Sequence, residues 1–222
     1  MAEGTDKKQY RNIRESQGGT LVFRQAHSEN SPKKADPQKF IQRAGTWNCY
    51  TCTGVYFAIG DRRCFLAHIN PYLPTNSYPF NTKFLTEDQG QQLKKAVIDR
   101  LKWVSDADGW TPAEVRKDTL VMVCPMYNDT QPEEGTDQVK KQSGVYVAEA
   151  IADFLEISSE VEVDAKSTGF IIEYTTRAVT KLVWDLKRFQ EFELPIGLEG
   201  YKQKDEYAAT DGMKTWFFLL TP

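Results

Sequence analysis

The chain has two histidines and four cysteines, and its chemistry gathers in one segment. Thr46-Trp-Asn-Cys-Tyr-Thr-Cys-Thr-Gly-Val-Tyr-Phe-Ala-Ile-Gly-Asp-Arg-Arg-Cys-Phe-Leu-Ala-His68 holds Cys49, Cys52, Cys64 and His68. A thiolate is the reactive form of cysteine. A neighbouring imidazolium stabilises it, and the same ring can later protonate a leaving amine. A Cys-His pair on adjacent strands of a rigid sheet is therefore a compact acyl-transfer apparatus. In that arrangement one thiol is expected to have a depressed pKa.

The pair has to be positioned by a hairpin. The segment is apolar on both sides of Gly60-Asp-Arg-Arg63, and Gly60 can supply the positive φ that tight hairpin turns use. Folding about Gly60 places residues whose numbers total 120 opposite each other, and Cys52 and His68 are such a pair. Directly opposed side chains have Cβ atoms about 4.5–5.5 Å apart, close enough for thiol and imidazole to meet. A slip of one residue would send Cys52 to the other face. His27, by contrast, falls in a turn-rich loop containing Pro32 and Pro37.

The order Thr46, Cys52, His68 resembles the active-site pattern of the CheD family, protein-glutamine deamidases of bacterial chemotaxis. That family is grouped with the cytotoxic necrotizing factor catalytic domain and the YfiH-like proteins. Cys52 follows Thr46 by six residues and His68 follows Cys52 by sixteen, in keeping with the family spacing. Where the family usually has a glycine-serine pair before the cysteine, this chain has Tyr50-Thr51. The resemblance spans roughly residues 20–185. It implies that Cys52 attacks a carboxamide carbon, His68 acts as base and then acid, and the Thr46 hydroxyl orients the imidazole. Loss of ammonia would leave a thioester for water or another nucleophile. The implied substrates are a protein glutamine side chain or a small amide or thioester, and the implied cofactor is none.

Other chemistries compete for the same residues. Cys49, Cys52, Cys64 and His68 superficially match zinc-ligand spacing, but on one strand Cys64 and His68 lie about 13 Å apart at 3.3 Å per residue. Trp47-Asn-Cys-Tyr-Thr-Cys52 echoes a dithiol redox site, yet a β pattern follows where such sites begin a helix. Cys49 stays open as nucleophile or resolving thiol. A noncatalytic interaction module with structural cysteines is the rival from another class. Arg62-Arg63 and Lys187-Arg188 read as solvated pairs, the tryptophans as core, and Asp106-Ala-Asp-Gly-Trp110 as a turn.

The remaining elements must build around the hairpin. Residues 1–18 are polar and read as a mobile arm, and Thr20–Gln25 as a short strand. Thr86-Glu-Asp-Gln89 has the form of a capping box, opening a helix with Leu93, Val97, Leu101 and Val104 on one stripe. Thr119–Pro125 reads as a buried strand, and Asp129–Gln142 as a loop. Ser143 is expected to cap a helix through Leu155, followed by strands at Glu160–Val163, Gly169–Tyr174 and Ala178–Trp184. Asn70–Phe80 reads as a proline-rich loop, and loop 71–85, with Tyr72, Tyr78 and Phe80, as the substrate wall. The tail 187–222 reads as an extension packing on the domain. These elements predict a single α+β domain of layered mixed or antiparallel sheets with flanking helices.

Composition sets the outer bounds. Of 222 residues, 40% are hydrophobic and 27% charged, enough for a substantial core. The net charge of −3 gives no electrostatic reason to expect nucleic acid. No apolar run approaches the roughly 20 residues of a membrane span, and the N-terminus carries no apolar signal. The expectation is a cytoplasmic protein with reduced thiols.

Overall fold

The computed structural model describes residues 8–23, 42–73, 80–81, 84–125, 127–158, 160–183, 196–198, 201–203, 214–215 and 217–219. The chain is α+β, with mixed sheets flanked by two helices among the described residues. The larger sheet is built on the hairpin β4 (Thr53–Ile59) and β5 (Arg63–Leu73). On one side β4 pairs with β8 (Val115–Val123), which pairs with β11 (Val163–Asp164). On the other, β5 pairs with β2 (Gln17–Val22), which pairs with β15 (Lys214–Thr215). The far end of β5 also takes β6 (Phe80–Asn81) and β16 (Phe217–Leu219).

The smaller sheet is centred on β3 (Arg43–Trp47). Antiparallel β12 (Gly169–Glu173) and β13 (Ala178–Leu182) lie to one side. Parallel β1 (Lys8–Asn12) and β14 (Tyr201–Gln203) lie to the other. A third sheet joins β7 (Phe84–Leu85), β10 (Val139–Gln142) and β9 (Thr130–Pro132).

Alternation along β4 and β5 sorts the layers. Val55, Phe57, Ile59, Phe65, Ala67 and Ile69 face α1 (Glu87–Asp108) and α2 (Ser143–Leu155), joining Leu93, Val97, Leu101, Val147 and Ile151 in one core. Tyr56, Ala58, Cys64 and Leu66 face the smaller sheet and pack with Ala44, Phe170 and Ile172. Both faces of the central hairpin are thus buried, so its sequence is a near-continuous apolar run rather than an alternating one. Fully burying each large aliphatic or aromatic side chain contributes roughly 1.5–3 kcal/mol before chain entropy is subtracted.

Several local readings hold. Thr86 caps α1 with a reciprocal Gln89 capping box, and Gly109 at φ 63° closes the helix. The second helix spans Ser143–Leu155, but its cap is Gln142, whose side chain accepts from the Gly144 N–H at 2.6 Å.

Others are corrected. Residues 8–12 and 17–18, read as part of a mobile arm, belong to strands β1 and β2, while Thr20 to Val22, read as strand, is strand. Tyr10 within β1 and Ile13 just after it are 3% and 1% exposed. The stretch 129–142, read as a loop, contains the β9–β10 hairpin. Asn70 to Leu73, assigned to a loop, continues β5. The tail, read as an extension packing on the domain, is not among the corrections: its residues 201–203 pair with β1, 214–215 with β2 and 217–219 with β5. No helix among the described residues is long and apolar enough to cross a membrane.

Candidate active site

The site lies where the two larger sheets face each other. β5 carries His68 and β3 carries Thr46, while the connection from β3 to β4 carries Cys49 and Cys52. Thr46 is fully buried and His68 is 1% exposed.

Thr46 joins three elements. Its hydroxyl donates to the Ile13 carbonyl oxygen at 2.8 Å and lies 2.8 Å from His68 Nδ1. A hydroxyl has a single proton, and a carbonyl can only accept. With that proton directed at Ile13, the Thr46 oxygen accepts from Nδ1, which fixes the Nδ1–H tautomer and leaves the lone pair on Nε2. Nε2 is buried and has no hydrogen-bond partner among the described residues. Burial pulls the His68 pKa down to about 4, so the imidazole is neutral at ordinary pH.

The hairpin register differs from the one predicted. Gly54 lies opposite His68 and Thr53 opposite Ile69. The connection Gly60-Asp61-Arg62 is centred on Asp61, one residue later than expected, with Gly60 at φ 53°. The pairing moves by two positions as a result. Cys52 lies in a bend one residue before β4, beyond the last paired position, Thr53 with Ile69. Direct opposition of Cys52 and His68 is therefore corrected: Gly54 holds the place across from His68.

The thiols differ in surroundings. All four cysteines are buried and in thiol form. Cys49 Sγ lies 3.9 Å from His68 Nδ1, the nitrogen already engaged by Thr46. In the tautomer fixed by Thr46 that nitrogen carries a proton and cannot remove one. Burial, followed by the nearby Cys52 and Cys124, pushes the Cys49 thiol well up. Cys64 sits in the core between the sheets, and burial raises its pKa likewise. Cys124 donates to Gln142 Oε1 at 3.1 Å beside the start of α2. Cys52 is 3% exposed, with Thr51 Oγ1 3.7 Å from its sulfur, and it follows a loop whose Asn48 is solvent-exposed.

The neutral imidazole corrects a further expectation. Above about pH 4 the resting site holds no imidazolium to depress a thiol pKa. With the Nδ1 proton directed at Thr46, Nε2 is the ring nitrogen left able to accept a proton.

Cys64 and His68 stand four residues apart on β5 as predicted, too far to bind one ion. Among the described residues no group of three or more His, Cys, Asp or Glu could hold a metal. Thr53 to Ile59 after Cys52 is a strand, not the helix of a dithiol redox site. Of the proposed substrate wall, the backbone of Tyr72 pairs with Asn81 and Leu219, and that of Phe80 with Leu73. Tyr78 and the side chains of Tyr72 and Phe80 lie outside the described residues.

Three contributors were not foreseen. Gly54 has no side chain where Thr46 comes closest: a Cβ there would stand 2.9 Å from Val123 Cγ2 and 3.0 Å from Thr46 Cγ2. Asn70 is fully buried and donates through Nδ2 to Glu15 Oε1. Ile13 supplies the carbonyl that orients Thr46. A buried asparagine in an apolar strand, and a glycine in a β run, were the available signals.

No protein-family model and no curated protein sequence matches this chain.

Proposed function

We propose that the chain is a cysteine amidohydrolase that deamidates or hydrolyses carboxamides through a thioester, in the manner of the CheD-like family its site residues resemble. Cys52 is the nucleophile and His68 the proton carrier, with Thr46 setting the tautomer. The observation that carries this reading is the His68 ring: tied at Nδ1 to Thr46, it has an Nε2 that is buried and without a hydrogen-bond partner among the described residues.

The chemistry balances without a cofactor. As the Cys52 sulfur bonds to the carboxamide carbon, its proton passes to His68 Nε2. The resulting imidazolium, held by Thr46, donates that proton to the departing nitrogen, and ammonia leaves behind a Cys52 thioester. Water then adds to the thioester carbon, giving one proton to Nε2. Collapse breaks the C–S bond, and the thiolate recovers that proton. Interception by an amine in place of water would make the reaction an acyl transfer. The substrate class is a glutamine side chain in a protein, or a small amide or thioester.

Thr46, Cys52 and His68 fit this scheme better than Cys49 does, because Cys49 approaches the protonated nitrogen. A noncatalytic module is favoured by one observation, the 3% and 1% exposure of Cys52 and His68, since a substrate must displace whatever covers them.

One experiment separates the readings. The full chain, Cys52→Ser and Cys49→Ser are incubated with glutamine-containing peptides, with ammonia release and peptide mass followed together. The enzyme reading expects ammonia and a deamidated peptide from the parent and Cys49→Ser, none from Cys52→Ser, and an acyl adduct on the Cys52 peptide after acid quench. Equal, background ammonia from all three with no adduct supports the noncatalytic module. Loss confined to Cys49→Ser would move the nucleophile.

A further inference from the structure

Two connections between the larger and smaller sheets supply the site: the β1–β2 turn brings Ile13, and the β3–β4 connection brings Cys49 and Cys52. A third, residues 165–168, leads from β11 in the larger sheet to β12 in the smaller. It meets the site at two points. The Thr168 carbonyl accepts from the Cys49 N–H at 2.9 Å. Gly169, which opens β12, pairs with Trp47, and a Cβ there would stand 2.3 Å from the Thr46 carbonyl oxygen.

Asp164, at the end of β11, builds this connection. Its Oδ1 accepts from the backbone N–H groups of Lys166 and Ser167 at 2.9 and 3.0 Å, and its Oδ2 from the Ser167 hydroxyl at 2.9 Å. Those bonds satisfy donors that the turning backbone would otherwise leave unpaired. The Asp164 carbonyl accepts from the Cys124 N–H at 3.1 Å, fixing the start of the turn to the end of β8. Lys181 on β13 adds an ion pair at 2.7 Å, but its side chain is 55% exposed and the contribution is small. Burial raises the Asp164 carboxyl pKa, and the bonds from Lys181, Lys166 and Ser167 outweigh it, holding it down at about 2. The turn therefore keeps an ionised acceptor throughout the range in which His68 titrates.

We infer that Asp164, through the turn it builds, is a positioning residue for the Thr46–His68 pair and for the connection bearing Cys49. Its bearing on catalysis rests on the Cys-His reading above. Thr46 belongs to the smaller sheet and His68 to the larger, so their 2.8 Å contact spans the gap that residues 165–168 tie. Bonds of this kind run about 2.7–3.2 Å, so a slight parting of the sheets breaks it. The ring then loses the oxygen that selects its tautomer.

Long-range ¹H–¹⁵N NMR of the full chain carrying His27→Gln reads the His68 ring without turnover. The parent is expected to show a proton on Nδ1 and titration near 4. Asp164→Ala should give a mixture of both tautomers, with titration moved toward 6.5. Asp164→Asn keeps an oxygen for the two N–H groups and should return the parent spectrum, as should Lys181→Gln. A residue that only stabilised the fold would leave the spectrum of the folded variant unchanged. Ammonia release from glutamine-containing peptides should fall about ten- to a hundredfold in kcat in Asp164→Ala, with KM little changed.

A folded Asp164→Ala with the parent's tautomer and titration would overturn the inference. Lys181→Gln reproducing the mixture would do so too, since the ion pair rather than the turn would then be the tie. Should Asp164→Ala fail to fold, Ser167→Ala, which removes one of the bonds to the carboxylate, is read the same way. A mixture there supports the inference, and the parent spectrum overturns it. Absence of ammonia from the parent overturns the amidohydrolase reading alone, because the spectra decide for Asp164.

Discussion

At the scale of the residue, one hydroxyl orients the site. Thr46 satisfies two buried polar groups, the Ile13 carbonyl and the His68 Nδ1–H. Thr46→Val keeps the shape and removes the oxygen. It should cost about 1–3 kcal/mol of stability, the usual result of orphaning buried hydrogen-bonding groups. Thr46→Ser should recover most of it, with urea unfolding as the measurement. Release of the ring should also slow the Cys52 chemistry in Thr46→Val while Thr46→Ser retains it.

His68 predicts a pH dependence of definite sign. Burial lowers its pKa from 6.5 to about 4, so between those values the unfolded chain binds a proton that the folded chain does not. Stability is fully present above about pH 6.5 and falls as pH drops toward 4, by on the order of 3 kcal/mol. Comparing urea midpoints of the parent and His68→Gln across that range isolates this residue from the carboxylates. A parent curve parallel to that of His68→Gln would mean that the imidazole is not held neutral.

At the scale of the element, two glycines on one hairpin should behave differently. Gly60, the obvious turn glycine, has φ 53° and open space where a Cβ would go. Gly60→Ala should cost about 1–2 kcal/mol through backbone conformation alone and leave the site intact. Gly54→Ala would drive a methyl to 2.9 Å from Val123 and 3.0 Å from Thr46. It should cost about 1–3 kcal/mol by overpacking and separate Thr46 from His68 as well. Thermal unfolding together with Cys52 reactivity distinguishes them: stability falls in both, reactivity only in Gly54→Ala.

The same hairpin shows what the sequence made legible. Its two strands, like the Thr86 cap of α1, follow from local pattern and turn chemistry. The register does not. A connection centred on Asp61 rather than Gly60 is a choice between neighbouring turns, and apolar residues on both faces of β4 and β5 give alternation no power to decide.

At the scale of the whole molecule, the least legible segment is the first. Residues 8–12 are Lys-Gln-Tyr-Arg-Asn, polar enough to read as an arm, yet β1 lies between β3 and β14. Its neighbours along the sheet come from distant parts of the chain, so no local signal marks it as a strand. Tyr10 and Ile13 anchor it, and Ile13 reaches the site. Deleting residues 1–18 should therefore abolish cooperative unfolding, where removal of a true arm would leave the melting curve unchanged. Cys52 labelling in any folded remnant should lose its dependence on His68.

The central claim is that His68 is locked as the Nδ1–H tautomer, with Nε2 as the available base. It is tested most directly by long-range ¹H–¹⁵N NMR on the His27→Gln chain, in which His68 is the remaining histidine. The predicted spectrum shows a protonated Nδ1 and an unprotonated Nε2 from neutral pH down to about pH 5, with titration near 4. A proton on Nε2 at neutral pH, or an ordinary titration near 6.5, would contradict it.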